Sequence, residues 1–416
     1  MQTFIIDEIL KTPAGAEANR ILRSCVHCGF CTATCPTYRL LGDELDSPRG
    51  RIYLIKNMLE GGEVTRKTQL HLDRCLTCRA CETYCPSGVE YARLLDTGRQ
   101  QIAVRVKRPV LDRLLRYLLR QTLPYRSRFA FLLRAGRMLR PLLPSRLRRM
   151  IPLRTNAPRL QTRGDHRRQV ILFTGCVQPT LSPQTNGSAL RVLDRLGISA
   201  VAVQGEACCG AIDYHMAEID PAVRFIKNNI DRWWPYVDNG AEAIVITASG
   251  CGMMIRDYAY LLRDDPEYAA RAARVSALAR DISEVFSADD IARLKNLVQR
   301  KEIRTAFQNP CSLQHGQKVK NTTEVLLAAL GFRLCPVPDS YSCCGSAGVY
   351  SLLHNDIAGQ LRSAKISALL SGEPEVITTA NIGCQMHLQQ ATDVPVKHWI
   401  EVVDELCPAE SKSINT

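Results

Sequence analysis

The sequence predicts an α+β multidomain protein, an all-helical N-terminal domain followed by two tandem α/β cysteine-rich repeats. Eight cysteines fall in two groups within residues 1–103, around a segment of helical apolar spacing. Beyond residue 168, short Val- and Ile-rich runs alternate with amphipathic stretches, as in layered α/β domains with largely parallel strands. The later cysteines also repeat. Cys176, Cys208, Cys209 and Cys251 correspond to Cys311, Cys343, Cys344 and Cys384, with offsets of 135, 135, 135 and 133.

In residues 1–103, Ile52, Leu54, Ile55, Met58 and Leu59 lie near helical spacing, Ser47-Pro48 predicts a helix start, and Gly61-Gly62 predicts its stop. Residues 104–168 interleave arginine with leucine and are broken by Pro109, Pro124, Pro141, Pro144 and Pro152. An internal proline ends or kinks a helix, so this basic linker is expected to hold short amphipathic helices at most. The net charge of +13 originates here: between 105 and 168, 19 Lys and Arg against Asp112 and Asp165 give +17, leaving −4 for the rest. Leucine in place of stacking aromatics, together with the prolines, argues against nucleic-acid binding; an anionic membrane surface or an acidic partner face is the expected contact.

Residues 169–300 run as strand (QVILFTGC), helix (ALRVLDRLG), strand (ISAVAV) and strand (AEAIVITASGC). Residues 301–416 repeat this with IRTAFQNPC, EVLLAALGFRLCPVP and PEVITTANIGC. Leu196-Gly197 and Leu330-Gly331 occupy the same place in each copy. Two homologous halves about a pseudo-two-fold axis are expected, with four thiols of each half converging where the parallel strands end.

Eighteen cysteines imply either a secreted disulfide framework or metal-bound thiolates in a reducing compartment. The N-terminal residues carry acids where a signal peptide needs positive charge, and no run reaches the roughly 20 apolar residues of a spanning helix. A cytoplasmic metal-binding protein is therefore expected. Cys25-x2-Cys28-x2-Cys31-x3-Cys35-Pro36 and Cys75-x2-Cys78-x2-Cys81-x3-Cys85-Pro86 each carry the bacterial ferredoxin signature. Three thiolates at this spacing wrap one face of a [4Fe-4S] cluster, and in two-cluster ferredoxins the fourth comes from the other motif. The expected sets are Cys25, Cys28, Cys31 and Cys85 for one cluster and Cys75, Cys78, Cys81 and Cys35 for the other. Zinc sites also use cysteines two residues apart, but need neither a third at the same spacing nor a trailing Cys-Pro. His27, Thr77 and Arg79, inside the loops, read as solvated loop residues. His215, His315 and His354 read as loop or packing residues, and Cys335 and Cys407 lie outside the pattern.

The C-terminal pattern, a Cys after a strand, then Cys-Cys-Gly, then a Gly-flanked Cys, resembles the cysteine-rich CCG domain of the heterodisulfide reductases and related electron-transfer proteins. That pattern ends in Cys-x2-Cys, whereas Met254 and His387 stand at the final positions here. A third iron-sulfur centre on Cys176, Cys208, Cys209 and Cys251 or on Cys311, Cys343, Cys344 and Cys384 is an open expectation, with His387 as a nitrogen ligand. Buried inert cysteines are the alternative.

Segments along nearly the whole chain, including RSCVHCGFCTATCPTYRLLGDELDSPRGRIYLIK, CLTCRACETYCPSG, CCGAIDYH, NNIDRWWP, PDSYSCCGSAG and TANIGCQMH, closely resemble the glycolate oxidase iron-sulfur subunits. The resemblance implies an electron-transfer subunit of a glycolate dehydrogenase complex, in which FAD-binding glycolate oxidase subunits oxidise glycolate to glyoxylate and electrons pass to a membrane quinone. It also implies a peripheral position on the cytoplasmic face of the inner membrane. Related lactate and glycerol-3-phosphate dehydrogenase subunits, or a thiol/disulfide reductase, are the alternatives. No Gly-x-Gly-x-x-Gly turn follows a strand, and no catalytic triad or carboxylate pair stands out, so no flavin or substrate site is assigned to the chain itself.

Overall fold

A computed structural model of the chain describes residues 1–142, 144, 148, 151 and 166–408. Its N-terminal part is helical. Pro13–Ser24, Pro48–Leu59, Arg66–Asp73 and Tyr91–Arg105 pack around Ile21, Leu22, Ile55, Leu59, Leu72 and Leu94, all fully buried. The Ser47 hydroxyl accepts from the Gly50 N–H at 2.9 Å, Pro48 opens the first turn, and Gly61 follows the helix at φ 89°. These are the predicted start and stop, with the capping chemistry that produces them. Gly98 lets two helices touch, since a Cβ there would stand 2.8 Å from Ile55 Cγ1.

The basic linker is more ordered than its prolines suggested. Val110–Thr122 and Arg126–Leu139 are helices of 13 and 14 residues. Pro109 is the N-cap of the first and Pro124 falls between the two, so neither interrupts a helix. In the first, amphipathicity is inverted relative to a solvated helix, whereas the second buries Leu133 and leaves Arg128 and Arg134 exposed. Arg108 and Arg116 pair with Asp73, Arg120 with Asp213 and Arg126 with Glu206. Leu111, Leu114, Leu115 and Leu118 turn outward, with Leu111 80% exposed. Several of the linker arginines are thus committed to ion pairs within the chain. Pro152 of the linker lies outside the described residues.

Each C-terminal repeat builds a four-stranded, all-parallel sheet. β1 (Arg168–Phe173), β2 (Ile198–Val201), β3 (Ala243–Ile246) and β4 (Ala279–Asp281) lie in the order β2-β1-β3-β4. β5 (Arg304–Gln308), β6 (Arg333–Leu334), β7 (Val376–Thr379) and β8 (Val396–His398) lie in the order β6-β5-β7-β8. Arg168 pairs with Ile198 on one side of β1 and Val170 with Ala243 on the other. The chain thus leaves the central strand in opposite directions, which opens a crevice beyond the strand C-termini.

The repeats share one hydrophobic core, in which Leu172, Leu193 and Val245 of the first meet Leu327, Trp399 and Val403 of the second. Their packing is reciprocal. The first repeat's helix Pro183–Arg195 lies on Trp399–Leu406, while the second's helix Thr322–Ala329 lies on Ile282–Glu284 and Ala288–Leu297. Asp404 accepts from Arg191 and Arg195, and the Ser249 and Ser312 hydroxyls meet at 2.8 Å. The N-terminal domain sits against both repeats. Arg39 pairs with Asp339 at 3.1 Å, the Tyr350 hydroxyl donates to the Arg74 carbonyl at 3.0 Å, and Arg263 pairs with Glu17 at 3.1 Å.

Candidate metal centres

The two N-terminal cysteine loops share an unusual backbone. On either side of the middle cysteine the chain is left-handed, at His27 (φ 56°) and Gly29 (86°), and at Thr77 (53°) and Arg79 (59°). Such alternation turns successive N–H groups to one side, forming a concave nest that attracts negative charge. The Thr77 N–H accordingly approaches Cys75 Sγ at 3.5 Å. Three of the four positions are not glycine, and each costs about 1 kcal/mol or more of backbone strain.

The loops enclose two hollows. One is lined by Cys25, Cys28, Cys31 and Cys85, the other by Cys35, Cys75, Cys78 and Cys81. Cys81 and Tyr91 line both, so the two hollows share a wall. The chain turns away at Pro36 and Pro86, which brings Cys35 and Cys85 each to the other motif's hollow. All eight are free thiols.

The donor set fits an iron-sulfur cluster: four soft sulfur ligands, no carboxylate in either lining, and cationic or apolar surroundings. Arg49 lines the first hollow, and Arg51 and Arg79 the second. Burial pushes the Cys78 and Cys81 thiols well up, so they stay protonated unless a metal ion holds them as thiolates. Arg51 is 1% exposed and donates to the His71 carbonyl at 2.7 Å, to Thr37 Oγ1 at 3.1 Å and to Asp46 at 3.2 Å. Burial opposes its charge, but Cys75, Tyr91, Cys35 and Asp46 hold its pKa above the ordinary value. The Tyr91 hydroxyl donates to Cys75 Sγ at 3.7 Å.

In the repeats, the paired cysteines sit where the strands end. In the first, Cys176 Sγ is 3.6 Å from Cys208 Sγ, and Cys209 contacts Cys208 and Cys251. Phe173, Ile226, Trp233 and Met254 surround them. In the second, Cys311 lies 3.7 Å from Cys343 and Cys344 lies 3.2 Å from Cys384. The Gly345 N–H donates to Cys343 Sγ at 3.4 Å. Met254 and His387 occupy matching places behind the glycine of each Cys-Cys-Gly. Met254 Cε is 3.6 Å from a Cβ built on Gly210, and His387 Nε2 is 3.2 Å from the Ala358 carbonyl that faces Gly345. Burial lowers the His387 pKa to about 4, which keeps the ring neutral, with Nε2–H donating to that carbonyl.

The 4Fe-4S dicluster domain family matches residues 21–89, and the cysteine-rich domain family matches 170–256 and 305–389. Over 410 residues the chain is 52% identical to the glycolate oxidase iron-sulfur subunit of Escherichia coli, covering 99% of this chain and 100% of that one. The chain belongs to the glycolate oxidase iron-sulfur subunit family. A probable member from Bacillus subtilis is 30% identical, covering 88% of each chain, and lactate utilization protein A of Exiguobacterium is 24% identical over 57% of this chain and 97% of its own. The eight cysteines of the two hollows fall inside the matched dicluster stretch. The eight repeated C-terminal cysteines fall inside the two cysteine-rich ones.

Sequence reasoning missed the groups around the sulfurs. Arg79 is not a solvated loop residue: it is 14% exposed and pairs with Asp257 of the first repeat at 2.5 Å. Arg51 and Tyr91 carry no motif of their own. A basic or phenolic side chain at a buried helical position was the one available signal. His315 and His354 pack as expected, His315 Nδ1 meeting Thr83 Oγ1 at 2.9 Å and His354 lying on Tyr350.

Proposed function

We propose that this chain is the electron-transfer subunit of a glycolate-oxidising complex. FAD-binding partner subunits oxidise glycolate to glyoxylate, and the electrons leave for a membrane quinone. The observation that carries the reading is the pair of four-thiol hollows sharing the Cys81–Tyr91 wall, in a chain alike from end to end to the Escherichia coli subunit. Cys25, Cys28, Cys31 and Cys85 would hold one [4Fe-4S] cluster, and Cys35, Cys75, Cys78 and Cys81 the other. The thiols of the duplicated domain are where a third iron-sulfur centre would be held. Residues 1–103, 104–168, 169–300 and 301–416 serve as the dicluster unit, the linker and the two cysteine-rich units.

An iron-sulfur cluster, when bound, takes up and gives back one electron at a time without making a bond or moving a proton. The chain supplies the setting. The left-handed loops aim N–H groups at the sulfurs, Arg51 and Arg79 offset negative charge, and Tyr91 separates the two hollows while donating to Cys75. Cys28, Val26 and Phe30 leave the first hollow open to solvent, Val26 being 66% exposed, which suits contact with a flavoprotein partner.

The outward leucines of Val110–Thr122, with Phe131 and Met138 of the next helix, form an apolar face beside a strongly basic segment. That combination supports peripheral attachment to an anionic membrane on the cytoplasmic side. No described helix is long and apolar enough to cross a membrane.

The test is an anaerobically purified complex with its flavoprotein partners. Glycolate should reduce the iron-sulfur signals of this chain, with about eight irons per chain for two clusters and about twelve for three. Reduction by lactate or glycerol 3-phosphate but not glycolate would replace the substrate, and disulfide reduction by the chain without partners would replace the class.

A further inference from the structure

The two cysteine loops of the N-terminal domain correspond position by position, from Cys25 and Cys75 to Cys35 and Cys85, yet they meet different surroundings. The second loop is docked. Leu76 and Ala80 are 6% and 1% exposed, and Leu76 shares an apolar cluster with Cys78, Cys343 and Tyr350. Arg79 pairs with Asp257, Thr83 Oγ1 meets His315 Nδ1 at 2.9 Å, and the Tyr84 ring stands edge-on to Tyr341. Each of these contacts is made to a cysteine-rich repeat.

The same positions of the first loop face solvent. Val26 and Phe30, in the places of Leu76 and Ala80, are 66% and 65% exposed, and Ala33, in the place of Thr83, is exposed as well. Of the eight N-terminal cysteines, Cys28 is the exposed one, the others being buried or half-buried. Gly29 carries no side chain where Arg79 reaches into the first repeat. Tyr53, one turn beyond Arg49 on the helix that walls this hollow, is 59% exposed. A contiguous apolar face of this kind marks an interaction surface. Its charges favour a protein over lipid: Arg49 and Lys56, which flank Tyr53 on the helix, pair with Glu44 at 2.7 Å and Glu60 at 2.5 Å, so neither is free for an anionic head group. Aromatic side chains with few free charges are the composition of a protein-interface core.

We propose that the face formed by Val26, Cys28, Phe30 and Tyr53 is the docking site of an FAD-binding partner subunit, and that electrons enter the chain there, in the order first hollow, then second. The second loop spends the equivalent face on the chain's own repeats; the first keeps it for another protein. In each turnover the partner's reduced flavin is oxidised, releasing two protons to water and two electrons, one at a time, to the first hollow. Each electron then crosses the Cys81–Tyr91 wall to the second hollow and leaves for the quinone-type acceptor. No bond forms or breaks in this chain. The inference rests on the reading of the chain as the electron-transfer subunit of a flavoprotein complex.

The experiment uses the full chain, purified anaerobically, and its FAD-binding partner subunits, purified separately. Phe30→Glu and Tyr53→Glu each place a charge on the face, and Leu111→Glu places one on the linker as a control. Partner affinity is measured by titration, iron per chain by analysis, and the spectra of the N-terminal centres after dithionite and after glycolate with partners. Expected for Phe30→Glu and Tyr53→Glu is a loss of about tenfold or more in partner affinity, with slower reduction by glycolate but wild-type iron and dithionite-reduced spectra. Leu111→Glu should bind the partners as the wild type does. If Phe30→Glu loses iron, Tyr53→Glu, farther from the cysteines, decides. Wild-type partner affinity in both variants would overturn the docking site, whether or not vesicle binding or self-association is lost instead. A wild-type chain that binds its partners but is not reduced by glycolate would remove the electron-transfer reading itself, and the entry point with it.

Discussion

Cys78 and Cys343, more than 250 residues apart in sequence, lie in one apolar cluster, which Leu76, Tyr350 and Ala358 complete. The seam between the dicluster domain and the second repeat is thus built around sulfur. Leu76 is 6% exposed, and Leu76→Ala would leave a cavity there, costing about 2–4 kcal/mol. Thermal unfolding should report that loss, and glycolate-driven dye reduction by the complex should slow. Unchanged stability would mean that the seam is not packed as described.

Arg79 combines a left-handed backbone with an ion pair to Asp257. Arg79→Ala loses the pair and keeps the strain, whereas Arg79→Gly loses the pair and relieves the strain. Both should be destabilised, by roughly 2 kcal/mol for the partly exposed pair, with the glycine variant about 1 kcal/mol the more stable. Urea denaturation of the two variants side by side measures the difference; equal midpoints would deny the strained loop.

Asp46 is fully buried and holds three partners: Arg51 at 3.2 Å, His71 at 3.1 Å and Arg74 at 2.8 Å. Asp46→Asn keeps the shape but leaves the Arg51 guanidinium without its carboxylate. The expected loss is about 3–5 kcal/mol, with iron leaving the second hollow before the first. Iron content and the spectra of the two N-terminal centres separate this outcome from uniform loss.

The eight N-terminal cysteines were legible because ligand chemistry demands a rare residue at fixed local spacing, and the sheets because Val- and Ile-rich runs end at the repeated cysteines. β4 and β8 escaped notice because strands of three residues leave little periodicity. Arg79 with Asp257 and Arg39 with Asp339 are pairings across the fold, and no local pattern announces them. The partners of the linker arginines are hard to read for a related reason. Arginine next to leucine reads as a solvated basic helix until the partners of arginine, such as Asp73, Asp213 and Glu206, are seen to lie in other domains.

The exposed leucine face gives a clean separation of stability from attachment. Leu111, Leu114 and Leu118 are 80%, 51% and 49% exposed, so changing all three to Ser should alter stability by no more than about 0.5 kcal/mol per site. Sedimentation with vesicles containing anionic lipid should fall severalfold relative to the wild type. Retained sedimentation would assign that face to something other than lipid.

His398 makes acid sensitivity a property of the seam between the repeats. Its ring is fully buried; Nε2–H donates to the Thr247 carbonyl of the first repeat at 2.8 Å, and Nδ1 accepts from the Ile400 N–H at 3.2 Å, capping the last helix. Both nitrogens are therefore used by the neutral ring, and a proton on Nδ1 would displace the cap. Burial lowers its pKa to about 3, against the opposing pull of the Thr247 carbonyl. With the folded pKa below the unfolded value of about 6.5, the unfolded chain binds the proton first as pH falls. The contribution is thus complete above about pH 6.5 and declines steadily towards pH 3, by at most about 4–5 kcal/mol. His387, lowered to about 4, acts in the same direction. His398→Asn can still cap Ile400 but loses the Thr247 bond, so it should be less stable than the wild type near neutrality and lose less stability between about pH 6.5 and 5. Urea midpoints across that interval give both slopes, and parallel slopes would show that His398 is not the group that titrates on unfolding.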